Sequence, residues 1–176
     1  MKNTLLNAIC LAVLLGLHSC GLSQESVVAD APGYPRWVGD IAADETLDDP
    51  EFVLCLGEDQ VKQYFNFGNG LQYTGEQHAI LTAFREQYQP VPLAQSGMIR
   101  IRFIVNCRGD TGRFRIIASD NHYQPMAFDR RITDQLLEIT RSLDGWKIQS
   151  DGEIAKDYYQ YLLFKIENGA LKEVLP

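Results

Sequence analysis

The sequence predicts an α+β domain: an antiparallel sheet with helices packed on one face. Three observations carry this. Residues 97–107 alternate strictly, with Ile99, Ile101, Phe103, Val105 and Cys107 set against Arg100, Arg102, Ile104 and Asn106. Phe128, Ile132, Leu136, Ile139 and Leu143 then make a single apolar stripe at helical spacing. Asn168-Gly169 joins two strand-like runs and is a strong two-residue hairpin signal. Helices and strands follow one another without a repeating βαβ unit, which suits an antiparallel sheet rather than a parallel one.

The elements read in order as follows. Phe52-Val53-Leu54-Cys55-Leu56 is a short strand or a buried extended segment. Glu58 to Phe67 is expected to be a short helix with Val61, Tyr64 and Phe65 on one side, ended by the glycines of Asn66 to Gly70. Thr74 and Gln77 have capping-box spacing, and the helix they open runs to about Tyr88 with Ile80, Ala83, Phe84 and Tyr88 on one face. Pro90 and Pro92 stop it. Arg108-Gly109-Asp110-Thr111-Gly112 is a hairpin turn, and Phe114, Ile116 and Ala118 alternate with Arg113, Arg115 and Ile117 on the return strand. A two-residue turn at Gly109-Asp110 would pair Val105 with Phe114 and Phe103 with Ile116. After the strongest helix come Gly145 as a stop and Trp146 beyond it. Tyr158 to Ile166 is a second good strand, and Ala170 to Leu175 a short last one.

The first 20 residues carry different information. Lys2 is followed by an apolar run, Leu5 to Leu17, too short to span a bilayer permanently. Leu17-His18-Ser19-Cys20 resembles the lipobox of bacterial lipoproteins, although His18 is a poor fit one position before Ser19. That resemblance implies cleavage after Ser19, lipid on Cys20, and a protein anchored to the bacterial cell envelope. Gly21, where an Asp would favour the inner membrane, implies the outer membrane. The alternative is an ordinary secretory signal. On the first reading residues 1–19 are a signal peptide, 20–50 a lipid-anchored tether broken by Pro32, Gly33 and Pro35, and 51–176 a single domain.

Composition limits the partners. The chain has net charge −7, and losing Lys2 with the signal takes it to −8. Nucleic acid is excluded as a partner, because phosphate binding needs clustered positive charge. In an oxidising compartment Cys55 and Cys107 are the two cysteines left after Cys10 and Cys20, and a disulfide between them is expected; two buried free thiols are the alternative.

Residues 96–176, and Ser96 to Ile166 most clearly, resemble the C-terminal domain of TonB and its relatives. The residues that carry the likeness are Gly97, the strand Ile99 to Val105, the polar turn Asn106 to Gly109, the strand Phe114 to Ala118, the helix Phe128 to Leu143, Trp146-Lys147-Ile148 and the strand Tyr159 to Phe164. There are departures. A lipobox and a short tether stand where TonB has a membrane helix and long spacer, and the family's Tyr-Pro pair is matched only loosely by Tyr88-Gln89-Pro90. The resemblance implies a module that accepts an extended protein segment on a sheet edge, not a transmitter of energy from the inner membrane.

Catalytic motifs are absent from the sequence. His78 and His122 lie far apart with no metal-ligand spacing, there is no Gly-x-Ser-x-Gly, and no phosphate-cradling glycine loop. No cofactor and no metal are expected. Two features invite a functional reading. Arg100, Arg102, Arg113 and Arg115 fall on the polar side of two adjacent strands; they are either a solvated face balanced by nearby acids or a dock for an acidic segment. Tyr158, Tyr159 and Tyr161 are either core packing or, beside those arginines, a peptide or glycan contact. The expected function is therefore a non-catalytic adaptor; the alternative is an envelope hydrolase with a cleft formed by residues 51–95.

Overall fold

In the computed structural model, which describes residues 40–63, 68 and 70–176, the centre is a pair of long strands. β2 (Gly97–Val105) and β6 (Tyr158–Glu167) pair antiparallel along their whole length, from Gly97 opposite Ile166 to Val105 opposite Tyr158. Ile99, Ile101, Phe103 and Val105 of β2 are fully buried, as are Leu162, Phe164 and Ile166 of β6, so both strands turn one apolar face to the main core. β3 (Thr111–Ser119) flanks β2 as an outer strand. The other side of β6 is shared by β1 (Lys62–Gln63) at Tyr158 and Tyr159 and by β7 (Ala170–Leu175) at Leu163 to Glu167. β1 runs parallel to β6, so the five-stranded sheet is mixed and mostly antiparallel, not purely antiparallel as expected. A separate hairpin, β4 (Gln149–Asp151) and β5 (Ile154–Lys156), completes the α+β fold.

Two helices cover one face of the sheet. α1 (Glu76–Gln87) buries Ile80 and Phe84, and α2 (Arg130–Arg141) buries Ile132, Leu136 and Ile139 against the same core. α2 starts at Asp129, whose carboxylate accepts from the Arg131 N–H at 2.9 Å and from the Arg131 guanidinium. These donors hold the Asp129 carboxyl down to about 2. The capping box expected at Thr74 does not form. The cap residue is Gly75 in the left-handed region (φ 79°), because Thr74 donates its own N–H to the Gly145 carbonyl and the chain must turn sharply into the helix.

Three further expectations change. Glu58 to Phe67 is not one helix: a single 3₁₀ turn, Glu58–Gln60, leads directly into β1, whose Lys62 N–H bonds to the Asp157 carbonyl. Tyr64, Phe65 and the turn from Asn66 lie outside the described residues in whole or part. The β2–β3 register is also different, with Val105 opposite Thr111 and Ile101 opposite Ile116. The physical cause is Asn106. Its Oδ1 accepts from the N–H groups of Arg108 and Asp110, closing a loop from Asn106 to Asp110 that is longer than the expected two-residue turn, and a bulge between Arg102 and Ile104 then shifts the pairing. Finally, ordered structure begins before Glu51. Ile41 is 3% exposed and forms a second small core with Ile104 and Tyr159, against which Phe52, Leu54 and Val61 pack. Residues 40–56 thus form a strap across the sheet face opposite the helices.

Candidate binding surfaces

The arginine face is built by the two-residue period of β2 and β3. Arg100 and Arg102 point away from the helices, and Arg115 lies opposite Arg102. Arg113 reaches the same side through the bulge, where it takes a left-handed backbone (φ 55°). The strap occupies most of this face. Arg102 donates to the Asp40 carbonyl at 3.0 Å. Arg113 makes a two-pronged pair with Glu58 at 2.7 and 2.6 Å. Arg115 does the same with Asp48 at 2.6 and 2.8 Å and adds the Ala42 carbonyl. Arg100 instead stacks its guanidinium over the Tyr161 ring, 5.2 Å from the centroid. Three of the four arginines are therefore engaged by the chain's own acidic and carbonyl groups.

Their electrostatics follow. The Arg115 guanidinium holds the Asp48 carboxyl below its ordinary value, and the Glu58 carboxylate raises Arg113. Burial is the largest influence on Arg102 and lowers it. The Asp48–Arg115 pair is mostly covered, at 12% and 21% side-chain exposure, so it is worth more than an open surface pair. Arg115→Ala is expected to destabilise the fold by about 1.5–3 kcal/mol, the range for hydrogen bonds to charged groups. Because the folded-state carboxyl is depressed, this contribution is complete well above pH 3.8 and is lost as pH falls below it. Urea unfolding of wild type and variant at pH 7 and at pH 3 should show the gap closing in acid.

The strap is tied down at its far end. Cys55 and Cys107 are joined by a disulfide with Cα atoms 6.0 Å apart, as expected from the sequence. Beside it sits Asp157, fully buried. Its Oδ2 accepts from the N–H groups of Cys55 (2.8 Å) and Leu56 (3.2 Å), and its Oδ1 from the Cys107 N–H (2.9 Å). Asn106, also fully buried, donates from its side chain to the Val53 carbonyl at 3.2 Å. The two sulfurs and the Asp157 carboxylate lie within 4.8 Å of one another. With the sulfurs bonded to each other they offer no thiolate to a metal.

Sheet edges form the second surface. The edge at β3 is blunted: Met126 donates its N–H to the Ala118 carbonyl, Arg115 donates to the Phe114 carbonyl, and Arg113 supplies the bulge. The edge at β7 is open; among the described residues its backbone bonds only to β6. Next to it a groove of about 290 Å³ runs between β7 and α1, lined by Leu81, Phe84, Tyr88, Pro90, Leu171 and Val174 and by the charged Arg85, Lys172 and Glu173.

Other singled-out residues do not join these surfaces. Tyr158 is buried, its hydroxyl donating to the Lys147 carbonyl at 2.9 Å, and burial pushes its ionisation far above the usual tyrosine range. Tyr159 belongs to the core beneath the strap. His78 on α1 and His122 in the loop after β3 are both exposed. Cys20 lies outside the described residues, and no helix among those described is long and apolar enough to cross a membrane. Asp48, Glu58 and Asp157 were not singled out by any sequence pattern; each meets a partner at least 50 positions away, with the nearest such pairing between Asp157 and Cys107. Comparison with known family models, curated proteins and solved structures finds no match to this chain.

Proposed function

We propose that this protein is a lipid-anchored, non-catalytic adaptor of the bacterial envelope that takes an extended protein segment onto its sheet by strand addition at β7. The observation that carries the reading is the open β7 edge beside an apolar groove. Strand addition draws affinity from backbone hydrogen bonds and selectivity from pockets that receive alternate side chains, and the groove is placed for the second role. The lipobox-like Leu17-His18-Ser19-Cys20 and the TonB-like order of strands and α2 support the same reading. In this reading the arginine face serves the strap, and the partner meets β7 instead.

A photo-crosslinking side chain placed at Lys172, on β7, is expected to capture a discrete partner in the native envelope. The same side chain at Asp134, on the exposed side of α2, is expected to capture none. Adding Leu81→Asp, which puts a charge in the groove, should abolish the Lys172 adduct. Equal capture from both positions, or an adduct indifferent to Leu81→Asp, counts against strand addition at this edge.

A further inference from the structure

We propose that Asp157 is the positioning residue of the Cys55–Cys107 disulfide: it holds the two half-cystine backbones together whether or not the sulfurs are bonded. The inference is independent of the adaptor reading. The carboxylate is fully buried, and among the described residues no cation pairs with it. Its charge is met by three backbone N–H groups, those of Cys55, Leu56 and Cys107, at 2.8, 3.2 and 2.9 Å. An ionised carboxylate has about four acceptor positions, so three are filled by donors from the two segments that the disulfide joins. Burying a charge without a counter-ion is costly, and here it is offset by charge-assisted hydrogen bonds that cross between the strap and the β2–β3 turn.

None of these three bonds involves a sulfur atom. They therefore persist when the disulfide is reduced, and they keep the two thiols facing each other across the same gap. Asn106 reinforces the arrangement by donating to Val53, two residues before Cys55. Oxidation then needs only an exchange partner such as oxidised glutathione. One cysteine thiolate attacks a glutathione sulfur and releases the first glutathione thiolate. The second cysteine thiolate attacks the mixed disulfide and releases the other. The protein gives up two electrons and two protons, and the oxidant becomes two thiols. Because Asp157 has already aligned the reactants, the second step is effectively unimolecular at high local concentration. In this scheme the strap stays on the arginine face in both redox states.

The test is the effective concentration of the two thiols, measured on the folded, reduced full-length protein equilibrated with mixtures of reduced and oxidised glutathione. Species are trapped with an alkylating agent and counted by mass spectrometry. Asp157→Asn keeps the volume but leaves one acceptor oxygen and aims an NH₂ group at a backbone N–H. It is expected to lower the effective concentration at least tenfold. A drop smaller than that overturns the proposal. A second measurement does not depend on that variant folding: hydrogen exchange of the amides at positions 55, 56 and 107 in a Cys55→Ser, Cys107→Ser protein that keeps Asp157. Protection of all three amides is expected; exchange at unprotected rates overturns the proposal, including where it arises because the chain no longer folds.

Discussion

Phe164→Ala is expected to cost about 3–5 kcal/mol, the range for deleting a buried phenylalanine ring from a core that cannot collapse around the gap. Phe164 is fully buried and sits on β6, with Ile99 opposite on one neighbouring strand and Val174 on the other. Its ring lies 4.8 Å from that of Phe84 on α1, so the side chain joins the sheet to the helix layer. Strands on both sides hold the backbone, which limits relaxation into the cavity. A small domain is stable by only about 5–15 kcal/mol, so this one change removes a large share of the margin. Urea unfolding should show a lower midpoint with an unchanged slope. Ile116→Ala is the comparison: Ile116 is 39% exposed on the outer strand, and the loss there should be well below that at Phe164. Similar losses at both positions would mean that the β6–α1 contact is not the centre of the core.

Removing the disulfide by Cys55→Ser with Cys107→Ser is expected to destabilise the protein by about 2–4 kcal/mol. The two cysteines are 52 residues apart, for which the chain-entropy model gives about 4 kcal/mol. That model places the effect in the unfolded chain, so with Asp157 and Asn106 still holding the same segments in the folded state the loss should lie toward the upper end of this range. Limited proteolysis should find any new cutting confined to the strap, residues 40–56, while β2, β3 and β6 stay protected. Loss of cooperative unfolding throughout the domain would show instead that the sheet itself depends on the bond.

Periodicity located most of the elements. β2, β3, α2, β6 and β7 were all expected near their observed positions, because each buries one face and its burial is written into its own residue spacing. Phe103 and Ile101 could be assigned to the core from the alternation alone. β1, β4 and β5 were not anticipated. None of them has an apolar rhythm: Lys62–Gln63 exists through long-range pairing with Tyr158 and Tyr159, and the hairpin strands are three residues each, paired among the described residues only with each other, from Gln149 opposite Lys156 to Asp151 opposite Ile154. The hairpin register was missed for a related reason. It depends on which backbone groups the Asn106 side chain captures, and turn composition by itself does not say.

The candidate surfaces divide in the same way. The sequence by itself determined that four arginines occupy the polar positions of two adjacent strands, that Cys55 and Cys107 are available to each other, and that an α+β sheet presents them, since these follow from local spacing and composition. Only the tertiary structure decided what meets those groups. Asp48 and Glu58 lie 67 and 55 residues from the arginines they neutralise, and Asp157 lies 102 residues from Cys55. Such pairings are made by the folded path of the chain, so no local pattern records that the arginine face is covered from within while, among the described residues, the β7 backbone bonds only to β6.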